Sequence, residues 1–317
     1  MAENLWISFA FLTASIFATV SLFDKIVLDK NLYSTLTTSA VSSIPMYLLF
    51  IVVGVVTGNT LLAGESVQSE TLALIGLSIL TGVVHAVSIT ANFFGLEMSD
   101  VSTFVPLVST DVILVALLAF LFLGEEFSWP IYLGIGVIFL GVFLISLDLS
   151  AGLTLGSPRT LYMGLFVAAL FGLTDILLKY LTFELNMFEI LFWYGVGGIA
   201  AFGVYGGWRA ISDPTTTAVV PFLSGIASVG GLFIVTRGLG LGIGFFTLTR
   251  ALELGPVSLV ITIVKLQVLL VFFAAIVLTK LTPEVLYEHV DARVFIQKFT
   301  ASVLIISGVV IIQTLIS

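Results

Sequence analysis

Six polar side chains stand inside long apolar runs: His85, Asp111, Asp175, Arg237, Lys265 and Gln267. An ionisable group at the centre of a bilayer costs several kcal/mol unless it faces a cavity or a partner, so each is a functional candidate. Carboxylates, an ammonium, a guanidinium and an amide hold charge and hydrogen bonds on a small solute. An imidazole adds a group able to exchange a proton near neutral pH. The two cations Arg237 and Lys265 against the central anion Asp111 leave a positive surplus that suits a carboxylate or phosphate, and a zwitterion would satisfy both signs. The alternative is a buried ion-pair network of Asp111, Arg237 and Lys265 that only fixes helix packing. His85 has the same alternative, a hydrogen bond within the bundle, and Asp175 can pair with Lys179 one turn away.

The stretch TRGLGLGIGFFTLTR, Thr236 to Arg250, invites a different chemistry. Alternate glycines after an arginine resemble a phosphate-cradling loop. No strand precedes them, however, no Lys-Ser/Thr pair closes them, and the GxGxxG spacing is missing. The stretch reads instead as a membrane helix, either packed closely through its glycines or locally unwound so that its backbone faces a solute.

The elements that position these residues are apolar helices. Of 317 residues, 59% are hydrophobic and only 9% charged. Runs of about 20 apolar residues, each able to span a hydrocarbon core of roughly 30 Å, recur along the chain. They predict ten spans: Leu5 to Phe23, Thr35 to Thr57, Thr71 to Leu96, Ser102 to Leu123, Ile131 to Leu147, Leu161 to Leu181, Phe188 to Trp208, Ala227 to Leu252, Val257 to Thr279 and Phe295 to Ile316. The first is expected to be retained, because Glu3 stands in place of a basic region and no A-x-A site follows. The expected class is an all-α polytopic membrane protein. A net charge of −8 with scattered Lys and Arg argues against nucleic-acid binding, and the absence of cysteine removes disulfides and thiol chemistry.

The chain also repeats itself. FGLEMSDVSTFVPLVSTDVILVALLAFLFLGEEF, from Phe94, aligns without a gap on RALELGPVSLVITIVKLQVLLVFFAAIVLTKLTP, from Arg250, at an offset of 156. SIFATVSLFDKIVL, from Ser15, aligns on ALFGLTDILLKYLT, from Ala169, at an offset of 154. Five spans per half force the second half to enter the membrane in the opposite sense, giving inverted repeats at residues 1–149 and 161–317 joined by a linker at 150–160. Such duplications place solute sites near the midplane between the repeats. The offset sets Lys265 over Ser109, Gln267 over Asp111 and Arg237 over Thr81. On a regular helix, residues two apart point about 200° from each other, so Ser109 and Asp111 share a cavity only if their helix is irregular.

LFLGEEF at Leu121 to Phe127, followed by GIGVIFLGVFLIS at Gly134 to Ser146, resembles the EamA-type branch of the drug/metabolite transporter superfamily. FGLEMSDVSTFVPL and its counterpart ALELGPVSLVI are similar to that family's junction between the third and fourth helices of each repeat. The second repeat departs from the pattern with LTKLTP at Leu278 to Pro283 in place of LGE. The resemblance implies a ten-helix bundle carrying amino acids, sugars, nucleotide sugars, drugs or other small metabolites. It also implies a cavity walled by spans one, three, four, six, eight and nine, and no enzymatic step. The expected partners are a small-molecule solute and the lipid bilayer, with a coupling proton or counter-solute left open, and no cofactor is expected. The cell membrane is the expected location.

Sugars, cationic drugs or a metal ion remain alternatives within the same fold, and a channel or a membrane-embedded enzyme outside it. The enzyme lacks a constellation, since HExxH and Asp-rich magnesium motifs are absent from the sequence. A channel would show a ring of like charges or a repeated filter. Glu97 and Glu253, near helix ends, are weak gate candidates. The four tryptophans fall mostly near span ends, where their rings suit the headgroup region. TPEVLYEHVDARVFIQK, Thr282 to Lys298, reads as a solvated loop. Orientation has two opposed readings. The resemblance implies cytoplasmic termini, while Lys25, Lys30, Arg159, Arg209, Lys280, Arg293 and Lys298 on the opposite face would place that face in the cytoplasm.

Overall fold

The computed structural model describes residues 5–29, 35–58, 60, 69–98, 104, 107–146, 158–212, 229–281 and 292–316. The helices are α1 (Leu5–Asp29), α2 (Thr35–Thr57), α3 (Ser69–Met98), α4 (Asp111–Leu118), α5 (Trp129–Ser146), α6 (Pro158–Leu181), α7 (Met187–Ser212), α8 (Val229–Leu254), α9 (Val257–Val264), α10 (Gln267–Leu281) and α11 (Ala292–Ile316). A π-helical turn, Ala119–Leu123, continues α4, and only Lys265 and Leu266 separate α9 from α10. Taken as continuous rods, these elements number ten among the described residues. No strand occurs among those residues.

Among the described residues, five helices carry windows long and apolar enough to cross a membrane by length and composition, within α1, α2, α3, α6 and α7. Their outer faces are apolar too: Val56, Leu72 and Val204 are 80%, 59% and 75% exposed. In water such surfaces would drive association, whereas against lipid tails they cost nothing. The last helix begins at Ala292, so the end of the expected Thr282 to Lys298 loop is helical, while 282–291 lies outside the described residues.

Corresponding helices of the two halves meet antiparallel, which is the inversion expected of a five-span repeat. Along α2 and α7, Gly54 touches Phe192 while Gly198 touches Tyr47. Along α5 and α11, Gly134 lies on Ile312 and Gly141 on Ile305. The remaining contacts come in exchanged pairs. Helix α1 packs on α8 as α3 packs on α6, and α2 packs on α8 as α3 packs on α7.

The alternate glycines of α8 are explained by this packing, which decides between the two alternatives for the stretch in favour of close packing: α8 is helical from Val229 to Leu254. Gly238 and Gly242 face α2, against Ser42, Pro45 and Leu49, whereas Gly240 and Gly244 face α1, against Val20 and Phe17. Residues two apart point in nearly opposite directions and residues four apart share a face. A glycine at every second position therefore makes two small-xxx-small stripes, one for each neighbour. The closest approach to backbone is elsewhere, between α3 and α7. A Cβ on Gly82 would fall 2.0 Å from the carbonyl oxygen of Tyr194, and one on Gly197 2.1 Å from that of Ile79.

Backbone cannot yield as a side chain can, so Gly82→Ala should lower stability in detergent by about 1–3 kcal/mol. Gly76→Ala, on the same helix with nothing within 4 Å, should not. Thermal unfolding of both variants in one detergent checks this, and equal melting temperatures would contradict the packing.

Candidate functional site

The rods holding Asp111 and Lys265 are both broken, and at corresponding places. Ser109 and Thr110 form a turn before α4, and Lys265 and Leu266 form one between α9 and α10. These two turns lie 156 residues apart, the offset of the repeat. Neither contains glycine, and the glycine-rich α8 stays continuous.

The breaks also place charge favourably. Asp111 opens α4, where unpaired amides carry partial positive charge, and Lys265 caps the carboxyl end of α9, where carbonyls carry partial negative charge. Their side chains meet, with Lys265 Nζ 2.5 Å from Asp111 Oδ2. Asp111 Oδ1 is buried and has no hydrogen-bond partner among the described residues.

A cavity of about 280 Å³ adjoins this pair, and all six sequence candidates line it: His85, Asp111, Asp175, Arg237, Lys265 and Gln267. Its walls come from α1, α3, the α4 rod, α6, α8 and the α9–α10 rod. Ser109 and Asp111 both reach it, as do Lys265 and Gln267, because the turns interrupt the regular helical rotation.

Arg237 is buried; its Nη1 donates to the carbonyl oxygen of Ser42 at 3.2 Å, and its guanidinium lies 5.9 Å from the Phe93 ring centroid. The accepting carbonyl sits beside Pro45, which interrupts the hydrogen-bond ladder inside α2. His85 Nδ1 is 2.9 Å from the Tyr47 hydroxyl, and the imidazole is packed edge-on to Phe245. Asp175 faces the cavity and does not pair with Lys179, correcting that expectation. Lys179 Nζ instead donates to the carbonyls of Leu252 at 2.6 Å and Gly255 at 2.9 Å. With Asp175 on the wall, the cavity holds two carboxyl groups, the two cations Arg237 and Lys265, and the His85 imidazole.

The walls follow the duplication. Phe17 and Phe171, and Ser21 and Asp175, are lining pairs at an offset of 154. At 156 the pairs include His85 and Leu241, Asn92 and Leu248, and Ser109 and Lys265. Position is shared while chemistry is not, since a polar residue in one half often faces an apolar one in the other. Ser21, Asn92 and Thr174 were not singled out from sequence. Applying the offset to Asp175 finds Ser21, and Asn92 lies two turns beyond His85 on the same face of α3.

Glu97 and Glu253 sit outside the cavity wall and bind helix starts. Thr35, the first residue of α2, donates to Glu97, and the Met187 amide, at the start of α7, donates to Glu253 at 2.7 Å. Trp6, expected at the headgroup level, is buried against Gly255.

Among known proteins, residues 4–147 match the EamA-like transporter family, which belongs to the drug/metabolite transporter superfamily. The matched stretch covers the first five rods. A solved structure described as "Crystal structure of protein" superposes with a TM-score of 0.69 at 15% identity, covering 99% of this chain and 98% of that one. That likeness is one of fold. No curated protein matches in sequence.

Removing one member of a buried ion pair strands the other. Lys265→Met should therefore destabilise the protein by roughly 3 kcal/mol, the lower end of the usual range because the Lys265 side chain is 12% exposed. The double variant Asp111→Asn/Lys265→Met should recover most of that loss. Chemical or thermal unfolding of the singles and the double in detergent measures the coupling, and additive losses would mean that the pair is not coupled.

Proposed function

We propose that this chain is a secondary transporter that moves a small polar metabolite, an amino acid or another organic anion or zwitterion, through the membrane by alternating access. The observation that carries the reading is the shared cavity. Six polar residues scattered between positions 85 and 267 converge on one space between two inverted halves. Its carboxyl groups stand beside Arg237 and Lys265, so the wall offers partners of both kinds to a zwitterion and a cationic partner to an organic anion. At about 280 Å³ the space lies just below the usual range for ligand pockets, which suits a metabolite of few heavy atoms.

Asp111 Oδ1 would accept a donor from the solute, an ammonium or a hydroxyl, completing a carboxylate otherwise left half satisfied. Arg237 would meet the solute's anionic end, held in place by Ser42 and the face of Phe93. The repeats 1–149 and 161–317, joined by 150–160, would rock about this site so that it faces each side in turn. The breaks at Ser109–Thr110 and Lys265–Leu266 are natural hinges for that motion. A coupling proton or a counter-solute would drive it, in the cell membrane, with no chemical step. A metal ion is disfavoured as cargo because the Lys265 ammonium already occupies Asp111.

Flux through sealed vesicles, screened across amino acids, carboxylates, sugars and cationic drugs, tests the reading. Asp111→Asn and Lys265→Ala should each abolish flux of the transported solute while membrane insertion persists. The stability-restored double variant Asp111→Asn/Lys265→Met should remain inactive. Full flux in that double variant would reduce the pair to a packing element.

A further inference from the structure

His85 lines the cavity from α3 with only 2% of its surface exposed. Rings from three other helices enclose its imidazole: Phe171 of α6, Tyr194 of α7 and Phe245 of α8, with centroids at 6.3, 5.4 and 4.7 Å. A fourth ring, Tyr47 of α2, stands edge-on to it and brings its hydroxyl to 2.9 Å from Nδ1. Tyr47 is itself fully buried, and α7 makes room for it by carrying glycine at position 198, where a Cβ would run into the aromatic carbons. The phenol is thus fixed in place.

Counting hydrogens decides the tautomer. The Tyr47 hydroxyl has one proton to give, and among the described residues His85 Nδ1 is its sole hydrogen-bond partner. A proton on Nδ1 would be donated to the phenol oxygen and would leave the phenol's own proton buried without an acceptor, which is costly. A bare Nδ1 accepts the phenol proton and satisfies both groups. The ring proton then stands on Nε2, and the imidazole is neutral.

Tyr47 is not part of the cavity wall, so Nδ1 points away from the cavity and Nε2 is the nitrogen left to face it. Among the described residues, none accepts a hydrogen bond from Nε2. A buried donor aimed into a solute-sized space calls for an oxygen acceptor. Arg237 serves a different point. On α8 it stands eight residues before Phe245, which packs on His85, and on α3 Phe93, which packs on the guanidinium, stands eight residues after His85. Eight residues are about 12 Å of helix, so the two donors stand at different levels of the wall.

We infer that His85 is a specificity-determining donor, its Nε2–H taking an oxygen of the solute other than the one Arg237 meets, and that Tyr47 is the positioning residue that sets the proton there. The inference rests on the transport reading above and narrows its solute to an amino acid or organic acid bearing a second oxygen-containing group. A solute without that group leaves Nε2–H unsatisfied.

The sequence has two histidines, so His289→Gln leaves His85 alone to report. That variant, with its histidine nitrogens isotopically labelled, is reconstituted in lipid and read by solid-state NMR at neutral pH. The expected spectrum has a proton on Nε2 and a bare Nδ1. Tyr47→Phe, which keeps the ring and removes the hydroxyl, should let a population protonated on Nδ1 appear, whereas an unchanged tautomer overturns the positioning role. L-Glutamine, L-glutamate, L-serine, malate and lactate are then added in turn, with L-norvaline and butyrate as controls lacking the second oxygen. At least one of the five should shift the Nε2 signal, and neither control should. In flux measured with that compound, His85→Asn should lower kcat/KM about tenfold, mostly through KM, and His85→Gln, whose amide nitrogen reaches the Nε2 position, should recover most of the loss. A proton on Nδ1 in the Tyr47 protein, an Nε2 signal that no crossing compound moves, or equal losses in His85→Asn and His85→Gln overturns the donor and leaves the transport reading standing. Absence of flux for every compound in the vesicle screen overturns the transport reading and the donor with it.

Discussion

A carboxylate and an ammonium buried among apolar helices have little water to hold them, and the rest of this structure is arranged around that fact. Asp111 and Lys265 belong to different halves of the chain, so their contact joins the repeats through a pair in which either charge left alone would be costly. Each sits at a helix end whose dipole favours it, which is possible because both rods are broken there. The break exposes backbone that lipid would not tolerate, so the site must be enclosed by other helices. A polar cavity walled by six rods is the result.

Enclosure requires helices to approach closely, and in lipid that approach depends on side-chain size rather than on hydrophobic burial. Glycine supplies it on α3, α7 and α8, where backbone or large rings from neighbouring helices occupy the space of a Cβ. The glycines therefore belong to the scaffold and the chemistry to the helix breaks. Arg237 links the two, since it stands beside Gly238 in the α2 contact and still reaches the cavity.

The duplication makes positions equivalent without making residues equivalent. Lining pairs such as Ser21 with Asp175, or His85 with Leu241, put unlike chemistry at like places. The cavity is therefore a chemically lopsided chamber inside a symmetric frame.

Much of this was legible in the amino-acid order. Apolar run length marked the helices, the odd number of spans per repeat required the inversion that antiparallel α2–α7 and α5–α11 packing displays, and polar residues within apolar runs pointed to Asp111, Lys265 and Arg237. These signals are local, because lipid makes every exposed backbone group and every stray charge expensive wherever it occurs. Which partner each group finds is not local. Lys179 took the carbonyls of α8 rather than the carboxylate of Asp175 one turn away, and the helix breaks fell at Ser109 and Lys265 rather than among the glycines of α8. Only the folded bundle decides such choices, since they depend on which surfaces distant helices bring within hydrogen-bond reach.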